Sequence, residues 1–417
     1  MKDFKKASIL LLKRNGFWLL LSLLVVLIFT FFATNDSIEV TTRWYSDAFY
    51  GIEQAAQGEL DGSVYYKGTH VDKLKAKYPK KLPVEIFETY DDLYNQAKKI
   101  YNDNSDSDAY REIKYVLSDY DTLRFNLNEN SYRASNFKDG QVVLAQQEYV
   151  VINVVLFFGL ILGFLFTSME HFTPYYEFTR MLPWSKTKTY FSKLGLGTLL
   201  VTLAYVVLVG FSVLLWQTSY VSNLLYTGGL LKTLALGLGK NILFFIVVVG
   251  LGTVAGNIFG HLGMMIIGLG GPMLLTTDYK ILKDMLGLGL DKMDAIYKFE
   301  DLIDNKFYYP LYVPIEGLFY VKNQMLIGFA IFSLIIFALG LYWTSTARAE
   351  RSGMLILKKS VSTFAFFMAV VTSVAFFGQV FNTFVNTRGL IMLPIYAVIG
   401  FIFYKLYKIF FNIKIGV

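Results

Sequence analysis

The sequence predicts an all-α polytopic membrane protein with about eight transmembrane helices. Of its 417 residues 54% are hydrophobic and 17% aromatic, more apolar surface than one soluble core needs. Long apolar runs recur, and a span needs about 20 such residues because each rises about 1.5 Å across a hydrocarbon layer of about 30 Å. Lysine and arginine concentrate in short segments between these runs, as in loops that stay on the cytoplasmic side. The pattern therefore predicts that both termini are cytoplasmic.

Composition also excludes several classes of function. The chain has no cysteine, which removes disulfides, thiolate metal sites and cysteine nucleophiles. Its three histidines, His70, His171 and His261, stand in different segments, so we expect no metal site. The net charge of +7 arises from basic loops beside the apolar runs. Membrane topology explains that charge better than nucleic-acid binding does.

Residues 1–33 are predicted to hold an interface helix and the first span. From Asp3 to Asn15 cations alternate with aliphatic residues, and an Asn15-Gly16 break follows, which predicts an amphipathic helix in the interface plane. The alternative is that these residues merely extend the first span. That span is Phe17–Ala33, and the absence of a small-residue cleavage site after it predicts a retained anchor.

Residues 34–148 are predicted to form a small, mostly helical extracellular domain between the first two spans. They carry 20 acidic and 14 basic residues, the reverse of the charge bias elsewhere. Apolar residues recur at helical spacing from Ile86 to Tyr101 and again from Tyr110 to Leu123. Between these helices Asp106–Asp108 supply N-cap chemistry, because a short oxygen-bearing side chain accepts from free backbone amides.

Residues 149–276 are predicted to hold the second to fifth spans. In chain order the runs are Tyr149–Met169, Leu194–Trp216, Asn241–Ile258 and Gly260–Thr276. The last run is short, glycine-rich and interrupted by Pro272, so by composition it fits a crossing or a re-entrant helix. Topology favours a crossing, since all the short basic loops then fall on the side of the N-terminus.

The remaining sequence divides into a second outside segment and three further spans. Residues 277–322 mix short amphipathic stretches with Pro310 and Pro314, which predicts an extracellular cap over the membrane exit. Residues 323–417 complete the predicted topology. Their spans are Gln324–Trp343, Ser360–Val380 and Leu390–Tyr404.

The segment between the second and third spans, residues 170–193, is the main candidate for binding a partner. Its charged, apolar and helix-capping residues are Glu170, Glu177, Arg180, Leu182, Pro183, Trp184, Ser185, Lys186 and Lys193. Charges around an aromatic anchor are typical of protein interfaces. The same composition fits an interfacial loop held in the membrane by aromatic and basic anchors.

A second, weaker candidate for contact with a partner follows the sixth span. It consists of Arg348, Glu350, Arg351 and Gly353. Its charges would serve equally well to set the topology of the neighbouring spans.

The sequence lacks motifs by which the chain itself could catalyse a reaction. It contains no G-x-x-x-x-G-K-[ST] loop for ATP, no H-E-x-x-H and no G-x-S-x-G. The spans hold few ionisable residues, which leaves little for a proton relay. The chain is therefore predicted to be non-catalytic and to bind no cofactor itself.

The arrangement of spans and segments resembles the membrane subunits of ABC-2 type transporters, the permeases of ATP-binding cassette exporters in Gram-positive bacteria. In that family an L-P-x-S-[KR] run and a following K-L pair lead into the third span. The matching residues here are Leu182, Pro183, Ser185, Lys186, Lys193 and Leu194. An R-x-E-x-x-G segment of some members is matched by Arg348, Glu350 and Gly353. Typical members have six spans and many lack so large an outside domain.

The resemblance implies a permease in the bacterial cell membrane. Residues 170–193 would bind a separate ATPase that carries ATP and Mg²⁺, and two permease copies, identical or paralogous, would surround a path. The scarcity of charge in the spans favours export of amphipathic or hydrophobic cargo, peptide or lipid-like. Two other classes fit the residues: a sensor or resistance protein that binds an extracellular ligand, and an ion-coupled secondary transporter.

Overall fold

The structure, a computed structural model, describes residues 2–58, 70–103, 108–125, 141–172, 185–285, 312–315, 323–346, 353–385 and 389–413. The helices are α1 Lys2–Gln57, α2 His70–Lys77, α3 Ile86–Asp103, α4 Asp108–Phe125, α5 Leu144–Gln147, α6 Tyr149–Phe166, α7 Lys186–Thr218, α8 Leu230–Gly252, α9 Ile258–Met285, α10 Tyr312–Ile315, α11 Asn323–Thr346, α12 Lys359–Val385 and α13 Leu393–Phe410. Three 3₁₀ helices are Ser168–Phe172, Ser222–Leu224 and Leu390–Met392. Strands β1 Val142–Val143 and β2 Leu225–Tyr226 form a short parallel pair.

Eight of the described helices are long and apolar enough to cross a membrane: α1, α6, α7, α8, α9, α11, α12 and α13. This confirms the predicted class, an all-α polytopic membrane protein. The glycine-rich run lies within α9, which continues through Pro272 and has 28 residues. At 1.5 Å per residue that helix is about 42 Å long, so it has the length of a crossing rather than of a re-entrant turn.

α1 is a single helix of 56 residues. Its length is about 84 Å, nearly three times the hydrocarbon thickness of about 30 Å, so it extends well beyond its apolar stretch at both ends. The predicted break at Asn15-Gly16 is absent, because the helical backbone continues through both residues. Ala7 and Leu11 are buried. The structure therefore favours the alternative in which the N-terminal residues extend the first span.

The C-terminal third of α1 forms a helical domain with α2, α3 and α4. The name "helical domain" denotes residues 39–57 together with these three helices and residues 78–85, which connect α2 to α3. Its buried core includes Tyr45, Phe49, Ile52, Leu82, Ile86, Phe87, Tyr90, Ala97, Ile113, Leu117 and Tyr120. α3 and α4 begin and end within a few residues of the predicted helices. The predicted cap residues Asp106 and Ser107 lie outside the described residues.

The connection between α7 and α8 holds the helical domain against the bundle. Trp216 and Leu224 belong to the domain's buried core. The backbone N–H of Leu82 donates to the carbonyl oxygen of Tyr220 at 3.1 Å. The Tyr220 hydroxyl in turn donates to the carbonyl oxygen of Tyr78 at 2.9 Å. The domain is thus fixed to two membrane helices, α1 and α7.

α8 lies at the centre of the bundle and packs against α6, α7, α9 and α11. Glycines allow its neighbours to approach closely. A Cβ atom added to Gly250 would lie 2.6 Å from the Ile336 side chain on α11, and one added to Gly163 on α6 would collide with Val248. Close packing at small residues is typical of membrane helices, where lipid provides no hydrophobic driving force between helices.

Consecutive membrane helices run in alternate directions, so the described helix ends and connections lie on two opposite sides of the bundle. The domain side carries the helical domain, the α7–α8 connection and the β1–β2 pair. The opposite side carries the N-terminal part of α1 and residues 167–172, 253–257 and 353–358. The C-terminal end of α13 reaches the same side, since Phe411 packs on Phe366 near the start of α12 with ring centroids 5.6 Å apart. Of the predicted cap over the membrane exit, residues 286–311 and 316–322 lie outside the described residues.

Candidate functional site

Of the residues predicted to bind a partner, those that the structure describes belong to the opposite side of the bundle. Those of the main segment that lie outside the described residues are Glu177, Arg180, Leu182, Pro183 and Trp184. The described ones are Glu170, Ser185, Lys186 and Lys193. The structure therefore places the two ends of the segment, one after α6 and the other at the start of α7.

Ser185 and Lys186 form the exposed end of the segment. Ser185 caps α7, since its Oγ accepts a hydrogen bond from the backbone N–H of Lys188 at 3.2 Å. The Lys186 Nζ donates to the carbonyl oxygen of Ser345 at 3.3 Å. Because Ser345 lies at the end of α11, this contact joins the start of α7 to the end of α11.

Glu170 and Lys193 lie inside the bundle. The Glu170 side chain is only 5% exposed, and its Oε1 accepts from Arg14 Nη1 at 3.0 Å while its Oε2 accepts from Lys193 Nζ at 2.6 Å. These three residues, the ion triad, join α1 to the 3₁₀ helix after α6 and to α7. Both carboxylate oxygens are satisfied within the chain, so a partner on this side would meet the other residues of the segment.

Of the second candidate segment the structure describes Gly353, whereas Arg348, Glu350 and Arg351 lie outside the described residues. Gly353 has a φ of +81°, which glycine adopts without the strain that a Cβ would impose. Its N–H donates to the carbonyl oxygen of Gly256 at 3.1 Å. Its own carbonyl oxygen accepts from Asn257 Nδ2 at 3.0 Å. The chain after α11 is thereby fixed to the α8–α9 connection.

A buried histidine next to that connection links three further elements. His261 has no exposed surface. Its Nε2 lies 2.8 Å from the carbonyl oxygen of Val248, so Nε2 carries the proton and donates. Its Nδ1, 2.6 Å from the Ser168 Oγ, then accepts from that hydroxyl. The contacts tie α9 and α8 to the 3₁₀ helix that carries Glu170. In the sequence this residue is a lone histidine in an apolar run, a pattern that indicates no role.

The described polar residues on this side form contacts between helices. Among the described residues, no group of three or more histidines, aspartates or glutamates could hold a metal ion. The ion triad, the His261 contacts and the Gly353 contacts instead connect α1, α7, α8 and α9 with the 3₁₀ helix after α6 and with Gly353. Glu170, Lys193 and Gly353, which take part in these contacts, belong to the two segments predicted to bind a partner.

The fold and these contacts define a multi-pass membrane protein whose described residues on the opposite side connect its helices. Comparison of the chain with protein-family models, with curated proteins and with solved structures gave no match.

Proposed function

We propose that this chain is the transmembrane permease subunit of an ATP-driven exporter whose ATPase is a separate polypeptide. The observation that carries the proposal is the contact of Lys186 with Ser345. It joins the start of α7, which follows the segment that resembles a cytoplasmic segment of ABC-2 type permeases, to the end of α11, which precedes the second such segment. In this proposal the opposite side of the bundle is cytoplasmic, and so are both termini.

The first residue of the main segment and a residue just before it contact helices of the bundle directly, so movement of this segment would act on those helices. Its first residue, Glu170, is ion-paired to α1 and α7. Ser168, two residues earlier, contacts His261 on α9. A partner that closes on this side would therefore act on several spans together through packed and hydrogen-bonded contacts.

The faces of the outer helices suit lipid or a second permease copy. Large apolar side chains project from them, including Phe17 at 71%, Leu203 at 53% and Phe384 at 85% exposure. In the proposal two copies, identical or paralogous, form the path in the bacterial cell membrane. The cargo is amphipathic or hydrophobic, peptide or lipid-like.

The test is purification of the tagged chain from its native host in mild detergent. We expect a protein with a Walker A motif to copurify with the wild type. Its yield should fall at least about tenfold with the variant R180E/K186E/W184A, because loss of an aromatic and charged anchor costs an interface about 2 kcal/mol or more.

The matched control reverses two charges on the domain side. Lys98 and Lys99 are exposed on α3, and the variant K98E/K99E should retain the partner. A partner retained by R180E/K186E/W184A would contradict the docking site alone. A wild-type preparation without any nucleotide-binding subunit would contradict the function, and a copurifying kinase would favour a sensor.

A further inference from the structure

A fully buried carboxyl group lies where the helical domain joins the bundle. Glu148 immediately precedes α6 and has no exposed surface. Its Oε1 accepts a hydrogen bond from the Ser212 Oγ on α7 at 2.9 Å. The Ser212 Oγ accepts in turn from the Thr34 Oγ1 on α1 at 3.1 Å. Two hydroxyl groups thus connect the carboxyl group, at the start of α6, to α7 and α1.

The second oxygen of this carboxyl group, Oε2, has no hydrogen-bond partner among the residues that the structure describes. A buried carboxylate with one donor is costly, because desolvation disfavours the charged form and a single hydroxyl offsets little of that cost. Burial raises the pKa of Glu148 to about 7, and the bond from Ser212 opposes that shift only in part. Near neutral pH the group is therefore poised between its two protonation states.

The described charged and titratable groups around Glu148 do not offset the cost of burying its negative charge. On α7 the phenol of Tyr205 is close enough to interact with the carboxylate electrostatically. On α8 the Nζ of Lys240 donates to Asn153 Oδ1 at 3.2 Å. On α1, Asp36 and Glu39 are exposed to solvent.

We propose that Glu148 is a proton-binding site that closes the contact between α1, α6 and α7 at the domain side. With the proton bound, the carboxyl group is neutral and its burial needs no counter-charge. Without the proton, the charge must be hydrated, which requires water to enter between the three helices. The inference does not depend on the proposed function, since it concerns only the closure of this contact.

The direction of the pH effect is set by linkage. The pKa of Glu148 in the closed contact lies above the ordinary glutamate value, so the closed form binds the proton more tightly. The stabilisation is complete at low pH and is lost as the pH rises through about 7. Between pH 6 and pH 8 the opening equilibrium constant should rise about tenfold, if the opened form has an ordinary pKa of about 4.3.

Two measurements on the full chain in detergent test this site. Infrared titration of the wild type should show a protonated-carboxyl band with a midpoint near pH 7 that is absent from Glu148→Gln. Hydrogen exchange in the first turns of α6, corrected for intrinsic base catalysis, should rise about tenfold from pH 6 to pH 8 in the wild type and stay constant in Glu148→Gln.

The controls separate the site from general effects. Glu39→Gln, which changes an exposed carboxylate on α1, should keep both signals. Ser212→Ala removes the hydroxyl that donates to the charged form and should move the infrared midpoint upward. A wild type without the band, or with exchange that rises equally in Glu148→Gln, would overturn the proposal. A midpoint that shifts with sodium concentration would also overturn it, by indicating a metal cation rather than a proton as the ligand.

Discussion

Replacing Glu170 with glutamine is expected to lower the free energy of unfolding by about 3–5 kcal/mol, the usual cost of removing one partner from a buried ion pair. The change removes the only negative charge of the ion triad. Arg14 and Lys193, whose side chains are 17% and 12% exposed, would then face each other without it. Denaturant unfolding of the purified chain in detergent, followed by circular dichroism, measures the loss.

An exposed ion pair on the same long helix provides the control. Glu39 and Arg43 pair on α1 with side chains 61% and 54% exposed. Glu39→Gln should therefore cost at most about 0.5 kcal/mol, because solvent screens such pairs. Equal losses in the two variants would contradict the structural role of the ion triad.

Replacing Phe49 with alanine is expected to destabilise the helical domain by about 3–5 kcal/mol, the range for large aromatic side chains removed from a core. Phe49 has no exposed surface. Its ring centroid lies 4.4 Å from that of Tyr90 and 5.4 Å from that of Phe87. Hydrogen exchange in α3 and α4 measures the loss, since these helices pack on the face of α1 that carries Phe49.

The matched change is Trp44→Ala on the same helix. Trp44 is 43% exposed, and we expect its loss to cost less than about 1 kcal/mol, as for surface positions away from a core. If Phe49→Ala left exchange in α3 and α4 unchanged, the stability of these helices would not depend on α1.

The spans and the domain helices could be predicted because their signals are local. A run of about 20 apolar residues and a helical repeat of apolar positions are both readable within one window of sequence. The prediction of a break at Asn15-Gly16 is wrong, and the reason lies outside the local sequence. A glycine inside a helix costs only about 1 kcal/mol, and contacts distant in sequence fix this part of α1, such as that of Arg14 with Glu170, 156 residues away.

The contacts of the candidate segments could not be predicted from the sequence, and the role of these segments in binding a partner stays a prediction. The sequence pattern marked residues 170–193 by their charge and aromatic content, yet it could not distinguish the buried Glu170 from the exposed Lys186. Burial depends on which helices pack together, and this packing cannot be predicted from a local sequence pattern. Glu148 shows the same limit, because it follows a polar domain and only the packing of α1 and α7 buries it.

In the proposed function, transport by this chain is driven by ATP hydrolysis on a separate ATPase that binds the opposite side of the bundle. Reconstitution of the purified chain alone into lipid vesicles, with ATP and Mg²⁺ supplied, measures this most directly. Phosphate release and ATP-dependent uptake of hydrophobic peptides should both be absent, and ATP hydrolysis that depends on the permease should appear when the copurifying ATPase is added. Hydrolysis or pumping by the chain alone would contradict the proposal.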